Sequence, residues 1–366
     1  MSCDYIALAT PGVQTLKPYQ TGKPIEELER ELGIRNIVKL ASNENPLGPG
    51  RLALQAARAA MDQLHRYPDG AGFHLKAALS EKFGLRAEQI TLGNGSNDLL
   101  ELVGRAFLQR GDEVIFSQHA FAVYLLVTLG CSATPVEVPA RLFGHDLAAM
   151  ADAITERTRL VFLANPNNPT GTWFHRHAFE AFMARVPESV LVVLDEAYVE
   201  YVEEADYPNG FDYLDRYPNL IVTRTFSKIY GLAALRVGYA VANPQITNVL
   251  NRVRQPFNVN SAALAAAQAA LHDVNYLEDS KSENTAGLAQ IAEGLAGLGL
   301  HMIPSVANFI AFDCARPAQP VYEALLREGV IVRPVASYGM PHHLRVSIGL
   351  AEENERFLQA LQKVLG

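Results

Sequence analysis

Lys228 follows the apolar run Leu220-Ile221-Val222 and the hydroxyl residues Thr225 and Ser227, and Arg236 comes eight residues later. The run reads as a buried strand, so these polar groups fall at its carboxyl end, the edge where open α/β sheets hold ligands. A primary amine there, beside hydroxyls and a guanidinium, suits a lysine that forms a Schiff base next to an anion site. A lysine just past a strand is ordinarily a solvated loop residue, so the assignment turns on what the other strand ends supply.

The clearest strand, Val190 to Leu194, ends in Asp195-Glu196-Ala197-Tyr198. A carboxylate directly after a buried strand is costly unless something pairs with it; a helix cap or an ion pair would explain it as well as a ligand would. Leu160 to Leu163 runs into Asn165-Pro-Asn-Asn-Pro-Thr-Gly171, whose prolines stop the strand and leave Asn168 at its end. Gln89 to Asp98 passes from a short strand through Gly93 and Gly95 to the helical pattern Leu99 to Gln109. Free N–H groups at such a helix start hold phosphate, although Ser96 or Asn97 would serve equally as a plain cap. Arg345 lies between Leu344 and Val346 in the apolar pattern His343 to Gly349, so its charge is expected to meet a buried anion. The clusters Asn43-Glu44-Asn45-Pro46 and Arg66-Tyr67-Pro68-Asp69-Gly70 are turns that present polar groups, with turn chemistry alone a sufficient account of the first.

Strands alternate with helices through the first two thirds of the chain. The helices are Leu52 to Leu64, Leu75 to Phe83, Ala120 to Leu129 and Leu147 to Ile154; further strands are Glu113 to Phe116 and Ala133 to Val138. That order predicts an α/β fold with a mainly parallel sheet flanked by helices. Beyond Pro244 come Ala-rich helical runs, Ala262 to Leu271 and Ala286 to Leu298. Strand, helix and strand follow (Asn308 to Phe312, Val321 to Glu328, Val330 to Arg333), then the strand at His343 and a helix from Glu352 to Leu365, a smaller α+β unit. At 366 residues the chain exceeds what one core supports. The expected division is an amino-terminal arm over 1–44 with a short helix at Ile25 to Leu32, a large domain over 45–250 and a small domain over 251–366.

A net charge of −8 without a long Lys/Arg run argues against nucleic acid or an anionic membrane as main partner. The longest uncharged apolar runs are too short to span a bilayer, and the acidic start Met1-Ser-Cys-Asp4 lacks a basic signal region, so a cytoplasmic address is expected. Cys3, Cys131 and Cys314 are odd in number and lack metal spacing, which reads as reduced thiols, the last two packed inside, and no metal site.

The motifs Asn167-Asn-Pro-Thr-Gly171, Asp195-Glu-Ala-Tyr198 and Ser227-Lys228 with Arg236 together resemble the fold-type I pyridoxal-phosphate aminotransferases, and within them the histidinol-phosphate branch, over nearly the whole chain. The resemblance implies an aspartate-aminotransferase-like large domain with a seven-stranded sheet. Pyridoxal 5′-phosphate would be bound through Lys228, with Asp195 at its ring nitrogen and Asn168 and Tyr198 at its phenolate. Gly95, Ser96, Asn97, Thr225, Ser227 and Arg236 would hold its phosphate, and Phe121 would stack on the ring. It further implies a homodimer in which Tyr67 reaches the phosphate of the other subunit. Arg345 would clamp a carboxylate, Arg333 and Tyr19 would hold the phosphate of histidinol phosphate, and Asn43 would line the substrate site. The implied reaction exchanges amino groups between histidinol phosphate and 2-oxoglutarate, giving glutamate, in histidine biosynthesis. Relatives of the same pattern accept phenylalanine and tyrosine or decarboxylate threonine phosphate. Two positions depart from the family pattern: His119-Ala120-Phe121 stands where Pro-Thr-Tyr is usual, and Asn97-Asp98 where two acids are usual.

Overall fold

Parallel strands buried on both faces need continuous apolar runs, and the runs at residues 160–163, 191–194 and 220–222 meet that need: each of their residues but Leu191 is buried. The computed structural model describes residues 3–18 and 22–366. Its strands are β1 (Val38–Lys39), β2 (Ile90–Gly93), β3 (Glu113–Ser117), β4 (Thr134–Val138), β5 (Thr158–Ala164), β6 (Leu191–Asp195), β7 (Leu220–Thr225), β8 (Gly238–Ala242), β9 (Phe309–Asp313), β10 (Val330–Ile331), β11 (Arg333–Pro334) and β12 (His343–Ser347). Among the described residues, seven of them form one sheet in the order β2-β8-β7-β6-β5-β3-β4. β8 is antiparallel to both neighbours and the remaining pairs are parallel. The mainly parallel seven-stranded sheet expected above is therefore present. β3 pairs with β4 on one side and β5 on the other, so the chain reverses its direction of travel across the sheet there. Such a reversal opens a crevice outside the carboxyl ends of the strands.

Helices cover both faces. One face packs Leu99, Leu102 and Val103 of the helix Ser96–Phe107 and Tyr124 and Val127 of the helix Ala122–Gly130 against Phe162, Val193 and Ile221. The other packs Phe179, Phe182 and Tyr213 against Val161, Val192 and Val222, and also takes Ala263, Ala266 and Ala270 of the helix Ser261–Leu271. A separate core surrounds the antiparallel sheet β11-β12-β9, with Phe357 and Leu361 of the helix Ala351–Leu365 and Ile291 and Leu295 of the helix Val274–Gly297. That last helix starts twelve residues before the apolar run beginning at Ala286, because its first half, Val274 to Asn284, is mostly polar and shows little of the apolar repeat. The helices Arg176–Met183 and Pro244–Val253 also lack a sequence expectation. The run from Val330 divides into β10, which pairs with β1, and β11, which pairs with β12. Cys314 is buried and Cys131 half-buried, and neither they nor the exposed Cys3 form a disulfide. Among the described residues no helix is long and apolar enough to cross a membrane.

Candidate active site

Five strand ends converge on one pocket. β6 delivers Asp195 as its last residue, β7 leads into Ser227 and Lys228, and β5 leads into the turn holding Pro166 and Asn168. β3 leads to Phe121, and β2 leads to Ser96 and Asn97. The opposite wall comes from Gly22, Ala41, Ser42, Asn43, Arg333 and Arg345. Of the expected residues, Asn43, Ser96, Asn97, Phe121, Asn168, Asp195, Tyr198, Thr225, Ser227, Lys228, Arg236, Arg333 and Arg345 all line it.

Asp195 is 6% exposed, and burial pushes its carboxyl up to about 6. Three donors hold that rise back: Tyr124 Oη donates to Oδ2 at 2.9 Å, Thr223 Oγ1 to Oδ1 at 3.3 Å, and the Ala197 backbone N–H donates to the same carboxylate. Lys228 Nζ donates to the Ser42 carbonyl at 3.2 Å and lies 5.6 Å from the centre of the Tyr198 ring. Burial, and after it the charge of Arg345, pulls this amine down to about 8, so its neutral form is accessible near physiological pH. Tyr198 is pushed up to about 12, chiefly by burial, and stays a phenol. It accepts a hydrogen bond from Asn43 Nδ2 at 2.9 Å. Asn43 is held by Ser347, whose Oγ accepts from the Asn43 backbone N–H at 2.8 Å.

The anion cradle is built from backbone and a guanidinium. Arg236 Nη1 donates to Ser227 Oγ at 3.0 Å, and Ser227 N–H donates to Thr225 Oγ1 at 3.1 Å. The helix Ser96–Phe107 begins at the pocket with no side chain capping its first turn, so its positive end faces the same space. Gly95, at φ 84°, lies directly behind the cradle: a Cβ there would stand 2.2 Å from Arg236 Nη2. A Cβ on Gly238 would stand 2.7 Å from Ser96 N. On the far wall Arg345 donates to Asn168 Oδ1 at 2.6 Å and to the Ala41 carbonyl at 2.7 Å.

Gly95 sits behind the pocket rather than in its lining, and Tyr67 stands away from it. Tyr67 is 83% exposed and stacks on Phe257 with ring centres 4.8 Å apart, outside its own chain's pocket. Tyr19 lies outside the described residues. Conversely, Tyr124, Thr223 and Ser42 belong to the site without any sequence signal beyond position. Tyr124 is hidden inside the apolar stretch Ala122–Gly130, Thr223 lies mid-strand, and Ser42 contributes only a carbonyl. The ion pair that one reading gave to Asp195 belongs to its neighbour: Glu196 accepts from Arg224 Nε and Nη2 at 2.9 and 2.7 Å, both side chains buried.

The sequence profile of the family described as aminotransferase class I and II matches residues 35–361. "Histidinol-phosphate aminotransferase 2" of Pseudomonas aeruginosa is 63% identical over 99% of both chains, and "Histidinol-phosphate aminotransferase 1" of Nitrosococcus oceani is 57% identical over 99% of this chain and 98% of its own. Among solved structures, histidinol-phosphate aminotransferase from Sinorhizobium meliloti in complex with pyridoxal-5′-phosphate superimposes with a TM-score of 0.90 at 32% identity, covering 98% of this chain and 97% of that one. A Thermus thermophilus aspartate aminotransferase mutant gives 0.84 at 25% identity, over 97% and 99% of the two chains. With a lysine, a buried carboxylate and an anion cradle at its strand ends and these relatives matching nearly its whole length, the chain belongs to the class I and II aminotransferases, among the histidinol-phosphate aminotransferases.

Proposed function

We propose that the chain uses pyridoxal 5′-phosphate to exchange amino groups between histidinol phosphate and 2-oxoglutarate, in histidine biosynthesis. The donor set fits the cofactor. Lys228 offers an amine for its aldehyde, Asp195 a carboxylate for its ring nitrogen, and Asn168 and Tyr198 polar groups for its phenolate. Ser96, Asn97, Thr225, Ser227, Arg236 and the turn at Gly95 offer a phosphate seat, and a Cβ at position 95 would collide with the Arg236 guanidinium that helps form it. Bound there, the cofactor supplies an electron sink for the charge left when the substrate carbon loses its proton. Lys228 Nζ, lowered to about 8, would take that proton from the substrate carbon and deliver it to the carbon that carried the cofactor's aldehyde. Asp195, kept from water beneath the pocket, keeps its charge for a cationic ring nitrogen, and Tyr198 stays protonated as a donor. Arg345 and Arg333 give the substrate side of the pocket two cationic groups, suited to the carboxylate of glutamate and the phosphate of the amine. Tyr19 is assigned to the same phosphate.

The observation that carries this reading is the meeting, in one pocket, of Lys228 and Asp195 with a second pair of cations apart from Arg236. We infer also that the enzyme works in the cytoplasm as a homodimer in which Tyr67 serves the partner's site. The test is a comparison of kcat/KM for histidinol phosphate, phenylalanine and tyrosine with 2-oxoglutarate as acceptor, beside Lys228→Ala. Histidinol phosphate should lead and Lys228→Ala should be inactive while still folded. Phenylalanine leading by more than about tenfold would overturn the substrate assignment, and turnover surviving in Lys228→Ala would overturn the reaction.

A further inference from the structure

Tyr124 is fully buried, yet its hydroxyl reaches the pocket floor. Its ring is clamped on one side by Phe162, parallel within 4° at 4.5 Å between centres, and meets the edge of Phe121 at 5.9 Å and 90°. The backbone is fixed as well: Tyr124 N–H donates to the Phe121 carbonyl at 3.0 Å, and Thr128 Oγ1 donates to the Tyr124 carbonyl at 2.7 Å. A side chain so held has one polar atom, and that atom points at Asp195 Oδ2, 2.9 Å away.

We propose that Tyr124 is a positioning residue for the transamination, its hydroxyl holding Asp195 ionised and oriented so that the carboxylate can pair with a cationic ring nitrogen. The inference rests on the pyridoxal-phosphate reading of the pocket. The physical case is a balance of opposing effects on one buried acid. Burial drives the Asp195 carboxyl towards its neutral form, and Glu196 beside it pushes the same way. Lys228 is the cation facing it, and Tyr198 is a neutral phenol. That leaves hydrogen bonds to preserve the charge. The Ala197 backbone N–H supplies one, Thr223 a second at 3.3 Å, and Tyr124 the third at 2.9 Å, first among them in its effect on the carboxyl. Burial and the neighbouring Asp195 also push the Tyr124 phenol well above its ordinary value, so it keeps its proton and acts as a donor throughout the working range. A hydrogen bond from a neutral donor to an ionised carboxylate is among the stronger ones in proteins.

Tyr124→Phe removes one oxygen and keeps both ring contacts. In the cofactor-free protein, carbon NMR of the Asp195 carboxyl, assigned by its loss in Asp195→Asn, should titrate about one unit higher in Tyr124→Phe than in the wild type. The dissociation constant for pyridoxal 5′-phosphate, measured by titrating the cofactor-free protein, should rise about tenfold. Placing 3-fluorotyrosine at position 124, a stronger donor of the same shape, should move the carboxyl midpoint the other way, which keeps the proposal testable should Tyr124→Phe fold poorly. An unchanged midpoint and unchanged affinity in these proteins would overturn the role given to Tyr124. Wild-type protein that takes up no pyridoxal 5′-phosphate would instead overturn the functional reading beneath it.

Discussion

Lys228 and Asp195 are held in states that cost the folded chain stability, and the sign of that cost can be worked out for Asp195. Its carboxyl moves from 3.8 to about 6 on folding. Between those values the folded protein binds the proton more tightly than the unfolded chain, so stability falls as pH rises through the window. Above it the whole penalty is present, on the order of 3 kcal/mol. Asp195→Asn should therefore raise the melting temperature of the cofactor-free protein at pH 7, and the gain should shrink towards zero near pH 4. Equal melting temperatures for the two proteins at pH 7 would show that Asp195 carries no such strain. Asp195 was legible in the sequence because it directly follows an apolar run that reads as a buried strand, and Lys228 because it comes six residues after another, behind the hydroxyls of Thr225 and Ser227. Tyr124 was not, because a tyrosine in an apolar helix reads as packing until its hydroxyl is seen to meet a partner 71 positions away.

The turn from β2 into the helix Ser96–Phe107 shows how a backbone conformation becomes a binding surface. Gly95 adopts φ 84°, a region closed to most side chains, and the space its Cβ would fill is taken by the Arg236 guanidinium. Gly95→Ala should therefore both strain the turn and displace Arg236, weakening pyridoxal 5′-phosphate binding by about a hundredfold if each effect is worth 1–2 kcal/mol. Retention of wild-type cofactor affinity in Gly95→Ala would show that the close approach is slack. The glycine turn was readable as a strand-to-helix junction, since its two glycines interrupt an otherwise regular pattern. Its partner was not: Arg236 lies 141 positions later, and only the antiparallel pairing of β8 with β2 and β7 brings Gly238 and Arg236 against it. The polar half of the helix Val274–Gly297 escaped for a different reason: of its buried stripe Leu277, Ser280 and Asn284, two residues are polar, so the inward face shows no apolar repeat.

The three cores explain why the strand alternation announced the fold so plainly while the long-range walls of the pocket stayed hidden. Local periodicity reports which face of an element is buried; it carries nothing about which distant loop lies opposite. Asn43 and Arg345, from the two ends of the chain, face the strand edge through contacts spanning about three hundred positions. We propose the division at residues 45 and 250 as the boundary of two units, with the helix Ser261–Leu271 anchoring the second on the core of the first. Tyr67 is exposed beside Phe257, and Phe73, Leu64 and Met61 are uncovered as well; in the homodimer proposed above this is the face that would meet the second copy. Tyr67→Ala and Lys228→Ala subunits, each impaired alone, should recover activity when mixed under exchange, because one hybrid site then holds both native residues; no recovery would place Tyr67 in the service of its own subunit. The crowding of Gly95 and Gly238 against Arg236 and Ser96 carries a historical corollary. A duplicated gene free to explore new amines finds the cofactor wall nearly closed to change, so its descendants must acquire their tastes on the other side, among Asn43, Arg333 and Arg345. Libraries confined to those three positions should yield altered amine preference far more often than libraries at 95 and 238.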